Sequence, residues 1–135
     1  MLCAQKALYL PLIDGNVDTM NIEQVREFAL SLLGVTEDMP FGDDVVVFRV
    51  EGKIFLCLRL TGDERRFAIK LSPERNEALR AAYEEVTPAW HWNKKHWSDV
   101  RYEHGIAAES VKAWISESYR LIIAKLPQRV RQKYQ

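Results

Sequence analysis

The chain has 135 residues, of which 47% are hydrophobic and 28% are charged, as is usual for a globular domain with one core. Its 19 lysine and arginine residues balance its 19 acidic residues, so bulk charge does not demand a strongly electrostatic partner. No apolar run approaches the roughly 18 residues that a membrane-spanning helix needs. The two cysteines, Cys3 and Cys57, show no metal-ligand spacing and no disulfide framework, which fits a reducing cytoplasm.

Residues 1–19 are predicted to be an N-terminal extension, because their short apolar run is broken by proline and differs from the rest of the chain. Asn21 is a suitable helix N-cap directly after Met20, so we expect Met20 to be the native start. The sequence then predicts a single domain over residues 20–126. A basic C-terminal tail over residues 127–135 is expected to fray.

The first half of the domain is predicted to contain one helix followed by three strands. Apolar residues at helical spacing predict a helix over residues 22–33, and residues 37–44 are predicted to form a polar loop. Two apolar runs separated by Glu51-Gly52 predict a hairpin, and residues 66–71 alternate as a half-buried third strand.

The second half is predicted to contain two helices and two further strands. Ser72 followed by Pro73 and Glu74 is typical of a helix start. Extended segments are expected on both sides of a turn at residues 93–95, and residues 107–126 predict a closing helix. The order α-β-β-β-α-β-β-α predicts an α+β fold, with an antiparallel sheet of about five strands and helices packed on one face.

Residues 90–97, Trp-His-Trp-Asn-Lys-Lys-His-Trp, form what we call the Trp/His stretch and admit three interpretations. In the first, the tryptophans are structural anchors on the sheet. In the second, Lys94 and Lys95 lie at an exposed tip and contact phosphate, with His96 and Trp97 alongside. In the third, His91 and His96 bind a metal, which requires a turn between them because a separation of five residues puts strand side chains on opposite faces.

Several short motifs of the chain occur together in one known family. They are Pro40-Phe41-Gly42, Lys53-Ile54-Phe55, Lys70 with Pro73, Asn93-Lys94-Lys95-His96-Trp97 and Ser118-Tyr119. In these motifs the chain resembles the MmcQ/YjbR family of small bacterial proteins over about residues 20–125. The resemblance implies a CyaY-like (frataxin-like) α+β fold, and a double-wing DNA-binding role has been proposed for the family. The family more often has tryptophan where Phe41 stands.

Catalysis is not indicated by the sequence. Ser98 and Asp99 follow His96, but adjacent strand residues alternate faces and do not form a nucleophile with its base. Asp43-Asp44 is an acidic loop that lacks the spacing of known calcium loops. The first helix carries too few acids for the iron chemistry known on frataxin-like folds.

The sequence therefore predicts a non-catalytic, cytoplasmic and monomeric DNA-binding module without cofactor or metal. Its predicted surface is basic and contains aromatic residues, namely Lys94, Lys95, His96, Trp97, Lys53, Lys70 and Arg101. The zero net charge implies modest affinity that falls with salt. The alternative is a small-molecule or protein-binding domain with a pocket near Pro40-Phe41-Gly42 and the Trp/His stretch.

Overall fold

The computed structural model describes residues 18–62 and 65–135, so most of the predicted N-terminal extension lies outside the described residues. The helices are α1 (Ile22–Ser31), α2 (Pro73–Ala82), α3 (Ala108–Ala124) and α4 (Gln128–Arg131), and a 3-10 turn follows at Gln132–Tyr134. The strands are β1 (Val35–Asp38), β2 (Val45–Val50), β3 (Lys53–Arg59), β4 (Phe67–Lys70), β5 (Val86–Pro88) and β6 (Trp97–Val100).

The strands form one antiparallel sheet of six strands in the order β1-β2-β3-β4-β6-β5. The predicted α+β class is confirmed, and the sheet has one strand more than expected. The additional strand is β1, so the prediction of a loop is wrong for Glu37 and Asp38. These carboxylates pair with Arg26 and Arg49. β1 is an edge strand, and its charged residues make it look like a loop in the sequence. Charge on an edge strand also discourages pairing with another chain.

The helix starts follow from local residues, as predicted. The Asn21 side chain accepts a hydrogen bond from the Gln24 N–H at 2.8 Å, and the Gln24 side chain accepts one from the Asn21 N–H at 2.9 Å. At α2, the Ser72 hydroxyl accepts a hydrogen bond from the Arg75 N–H at 3.2 Å. Caps of this kind contribute about 1 kcal/mol each.

The main core lies on one face of the sheet, where α1, α2 and α3 all contribute buried side chains, which confirms the predicted placement of the helices. A β-bulge leaves Phe55 without a partner on β2. The buried Ser118 hydroxyl of α3 donates to the Phe55 carbonyl at 2.6 Å and accepts from the Lys70 N–H at 3.0 Å. Ser118 therefore connects α3 to the bulge and to the end of β4.

The C-terminal tail is ordered, so the expectation that it frays is wrong. After α4, the Tyr134 ring packs edge-on against Tyr119, with ring centroids 6.4 Å apart. The Tyr134 hydroxyl donates to the Glu51 carboxylate, and Gly34 at a φ of 77° leaves room for the ring. Aromatic contacts that the local sequence does not reveal fix the tail to the domain.

The face of the sheet opposite the helices is only partly covered. A small cluster of Ala68, Ala89 and Trp97 is buried there, with Ile54, Cys57 and Trp92 packed against it. We call this the open face. In the part of the chain that the structure describes, no helix is long and apolar enough to cross a membrane.

Candidate ligand pocket and lysine loop

The Trp/His stretch folds back over the open face. β5 ends at Pro88, so the prediction of an extended segment from Trp90 to Trp92 is wrong. The Trp92 ring stacks on the Trp97 ring, with centroids 4.3 Å apart and planes at 23°. Stacking removes apolar ring area from water, which an extended arm pointing into solvent would not do.

Asn93 forms the turn that the sequence predicted at residues 93–95. Its side-chain oxygen accepts a hydrogen bond from the Lys95 N–H at 3.0 Å. Its carbonyl accepts from the N–H groups of His96 at 3.1 Å and Trp97 at 2.9 Å. Asparagine suits this position because its side chain can hydrogen-bond backbone two residues ahead. We call residues 93–96 the lysine loop; both lysine side chains are exposed.

Hydrogen bonds from the Asn76 side chain connect helix α2 to the lysine loop. This side chain is 0% exposed, and its amide nitrogen donates to the carbonyls of Lys95 and Leu71, both at 3.1 Å. Its amide oxygen accepts from the Ser98 hydroxyl at 2.6 Å. Asn76 was not among the predicted site residues, although it shares a helix face with Leu79 and Tyr83.

Arg80, one turn further along α2, holds the same loop. Its guanidinium donates to the Lys94 carbonyl at 2.5 Å, to the Trp97 carbonyl at 2.8 Å and to the Ser98 hydroxyl at 3.1 Å. Arg80 was not among the predicted site residues. Its role is to position the loop, because three donors of one rigid group fix three acceptors around the turn.

The tryptophans at the two ends of the stretch have opposite environments. Trp97 is 8% exposed, so its ring is buried and is not a platform for a nucleobase. Trp90 is 71% exposed, and the Lys94 ammonium lies 5.2 Å from the centre of its ring. The exposed aromatic residue beside the lysines is therefore Trp90, which the prediction did not single out.

The remaining predicted site residues lie in different places. Lys70 pairs with Trp97 in the β4–β6 register, and Lys53 lies at the β2–β3 turn near the same end of the sheet. Arg101 follows β6 at the other end, where its guanidinium donates to the Glu84 carbonyl at 2.8 Å. Trp97 and Arg101 are four positions apart, roughly 13 Å at 3.3 Å per residue. Lys70 therefore lies beside the lysine loop, Lys53 lies two strands away from β6 at the same end of the sheet, and Arg101 lies at the other end.

The two histidines of the stretch also differ. His91 is exposed and lines a cavity described below, whereas His96 is half-buried and its carbonyl accepts from the Leu71 N–H at 2.9 Å. Within residues 18–62 and 65–135, no three His, Cys, Asp or Glu side chains are grouped so as to hold a metal ion.

A cavity of about 500 Å³ lies on the open face, between the β1–β2 loop and the Trp/His stretch. The Phe41 and Trp92 rings meet edge-on over the sheet, with centroids 6.3 Å apart. Strands β2, β3, β4 and β6 supply the floor. The full lining is Phe41, Asp44, Val45, Cys57, Arg59, Arg66, Phe67, Ala68, His91, Trp92 and Asp99.

Asp99 is a sheltered charged group in the cavity, with a side chain only 13% exposed against 29% for that of Arg66. Burial raises the pKa of its carboxyl above the ordinary value, and the nearby Arg66, Arg59 and His91 partly offset this effect. The backbone N–H of Trp90 also lowers the pKa of this carboxyl. Asp99 is therefore a sheltered carboxyl that faces the cavity beside the start of the Trp/His stretch.

Cys57 lies on the cavity floor and is not an activated nucleophile. Burial raises the pKa of its thiol to about 11, with a further contribution from the negative charge of Asp99. At neutral pH the side chain is the neutral thiol, so the floor it forms with Ala68 is uncharged.

These features define a class of protein: a small α+β domain with helices on one face of an antiparallel sheet and an aromatic-walled pocket on the other. The chain belongs to the YjbR family, whose family model matches residues 30–121. The family membership confirms the resemblance seen in the sequence motifs.

Relatives and solved structures agree with this assignment. The chain is 29% identical over 107 residues to YbdF of Escherichia coli O157:H7, covering 79% of this chain and 88% of that protein. It is 24% identical over 112 residues to YjbR of Escherichia coli strain K12, covering 83% and 95%. Both are named as uncharacterized proteins.

The crystal structure of the Deinococcus radiodurans protein DR2400, with the family-model domain DUF419, superimposes with a TM-score of 0.80 and 29% identity, covering 86% of this chain and 88% of the other. A Pseudomonas syringae protein gives 0.66 and 28%, covering 76% and 98%. These likenesses establish the fold.

Proposed function

We propose that this protein is a non-catalytic module that binds a small molecule in the open-face pocket. The observation that carries the proposal is the meeting of Phe41 and Trp92 over the sheet, which leaves a cavity of about 500 Å³. Small-molecule sites are typically concave, of 300–1,000 Å³, and lined by aromatic residues with a few polar groups. Arg59, Arg66 and Asp99 are the polar groups available here.

The pocket walls are held in place without a ligand. Trp92 is stacked on Trp97, which in turn is buried against the sheet. The backbone after β5 is fixed by the hydrogen bond from the Ala89 N–H to the Trp97 carbonyl at 3.2 Å. Preformed walls favour binding because little conformational freedom is lost when a ligand enters.

Thermal-shift screening against a metabolite library is expected to find compounds that raise the melting temperature. A compound at 100 times its Kd stabilises the native state by about 2.7 kcal/mol, which is a shift of several degrees for a domain of this size. Phe41→Ala is expected to weaken such a compound about tenfold, equivalent to about 1.4 kcal/mol, because one wall of the pocket is removed.

The matched control is Leu33→Ala. Leu33 is 62% exposed and Phe41 is 63% exposed, but Leu33 lies outside the pocket lining. Both replacements remove an exposed apolar side chain, so neither should unfold the domain. A library without any stabilising compound, or compounds that stabilise Phe41→Ala as strongly as the unmodified protein, would argue against the proposal.

We propose DNA binding through the lysine loop as the second candidate function. It is favoured by the exposed Trp90 ring with Lys94 over it, beside the exposed Lys95. An indole face can stack on a base while lysines contact phosphate. Asn76 and Arg80 hold the loop backbone, so the two ammonium groups project from a fixed turn.

The double variant Lys94→Ala plus Lys95→Ala is expected to weaken binding to a fluorescent duplex at low salt. The slope of log K against log salt should fall by about 1.8, since each phosphate contact contributes about 0.9. Lys112→Ala plus Lys125→Ala, two positions on or next to α3, is the charge-matched control. Absence of binding at low salt, or an equal loss in the control, would exclude this candidate.

A further inference from the structure

We infer that the open-face pocket takes a small aromatic anion, a flat ring that bears a carboxylate or a phosphate. This inference rests on the proposed small-molecule function and names the chemical class of the ligand. It follows from the charges that line the cavity and from the shape of its walls.

Arg59 is the cation available to a ligand. Among the described residues, its guanidinium makes no ion pair and no side-chain hydrogen bond, yet it lines the cavity. Arg49 and Arg75, by contrast, are each paired with a carboxylate, Arg49 with Asp38 at 2.9 Å and Arg75 with Glu117 at 2.9 Å. A guanidinium presents donors in a planar fork that matches a carboxylate or a phosphate.

Arg66 adds a second, loosely held positive charge. Its Nη1 lies 4.0 Å from an Asp99 carboxylate oxygen, which is beyond hydrogen-bond distance. An anion in the cavity can therefore gain a hydrogen bond from Arg66 without breaking one. Arg59 and Arg66 flank the turn between β3 and β4 in sequence and reach the same cavity.

The two acidic side chains in the lining do not cancel this preference. Asp44 is exposed, so water screens its charge. Asp99 is sheltered, and its carboxylate already faces Arg66 at 4.0 Å. Among the described lining residues, the sheltered part of the cavity thus holds two cations and one carboxylate, which favours a ligand of negative charge.

The walls indicate that the body of the ligand is a flat ring. Trp92 offers an indole already stacked on one side by Trp97, and Phe41 stands edge-on to it. Edge-to-face and offset stacks are the preferred contacts of aromatic rings. Ala68 and the Cys57 thiol form an uncharged part of the floor with short side chains, on which a flat ring can lie.

Three probes that share one ring and differ in charge test the inference: 2-naphthoate, 2-naphthamide and 2-naphthylmethylamine. Isothermal titration calorimetry of the full chain is expected to give a Kd at least tenfold lower for the naphthoate than for the amide, and no binding for the amine. 2-Naphthyl phosphate, measured alongside, shows which anionic group fits better. Acetate and inorganic phosphate should bind at least tenfold more weakly than the ring-bearing anions.

Arg59→Gln is expected to weaken the naphthoate at least tenfold and to leave the amide unchanged, because only the anion uses the guanidinium. Arg49→Gln is the matched control, since Arg49 faces the same side of the sheet but is paired with Asp38 and lies outside the lining. Equal effects of the two variants would overturn the inference.

The same measurements distinguish an error in the ligand class from an error in the pocket function. If the amide or the amine binds as tightly as the naphthoate and Phe41→Ala weakens it, the ligand class is wrong and the pocket function stands. If none of the probes binds, the aromatic-anion class is overturned, and the metabolite screen then decides the pocket function by itself.

Discussion

Trp97→Ala is expected to lower the free energy of unfolding by about 3 kcal/mol, whereas Trp90→Ala should change it by less than about 0.5 kcal/mol. The two residues carry the same side chain at the two ends of the Trp/His stretch. Trp97 is 8% exposed and stacked on Trp92, while Trp90 is 71% exposed. The burial of the side chain, and not the residue type, therefore decides how far the free energy of unfolding falls.

Urea denaturation followed by circular dichroism measures both free energies. For Trp97→Ala the melting temperature should also fall by roughly 10 °C. Comparable losses in the two variants would mean that the stretch does not fold back over the open face as described. The same pair separates structure from DNA binding, because Trp90→Ala should weaken duplex binding in a protein of unchanged stability if the second candidate function holds.

Asn76→Ala is expected to destabilise the protein by about 2–4 kcal/mol. The substitution removes the partner of three groups, the carbonyls of Leu71 and Lys95 and the Ser98 hydroxyl. Each buried group left without a partner costs about 1–3 kcal/mol, and water entering the gap offsets part of that sum. Equilibrium urea unfolding is the measurement.

Glu77→Ala on the adjacent, exposed position of α2 is the control and should stay within about 0.5 kcal/mol of the unmodified protein. Hydrogen exchange adds a local measurement, since the N–H groups of His96 and Trp97 bond to Asn93 within the turn that Asn76 supports. Faster exchange there, without global unfolding, is expected for Asn76→Ala. A loss of stability below about 1 kcal/mol would show that the loop holds its shape without α2.

Contacts with Asn76 and Arg80 explain why the Asn-Lys-Lys-His-Trp motif adopts its conformation. The motif has to form a turn at Asn93, present carbonyls to α2 and return to the sheet at Trp97. These requirements are met by backbone and buried groups. The lysine side chains and Trp90 are thereby left free to face solvent or a partner.

Much of the fold could be predicted because its signals are local. The caps at Asn21 and Ser72, the Glu51-Gly52 turn and the apolar spacing of the helices each depend on residues a few positions apart. The α+β class followed from their order. β1 was missed because its carboxylates are stabilised by Arg26 and Arg49, which are each 11 positions away in the chain.

Only the approximate location of the pocket could be predicted from the sequence. The sequence placed it near Pro40-Phe41-Gly42 and the Trp/His stretch, and the cavity is indeed lined by Phe41, His91 and Trp92. Arg59, Arg66 and Asp99 were not predicted as lining residues. Arg59 lies on β3, Asp99 lies on β6 and Arg66 directly precedes β4, so only the pairing order β3-β4-β6 sets them side by side.

By itself, the sequence determined the helices, the hairpin, the turn at Asn93 and the family, because each depends on local conformational preferences or on short motifs. Tertiary structure alone decided which end of the Trp/His stretch is buried, which arginines reach the cavity and which side of the sheet is left open. Those properties depend on contacts between residues distant in the chain. The Trp/His stretch shows the difference. Asn93 alone predicts its turn, but its path over the open face depends on contacts with Trp97, Asn76 and Arg80.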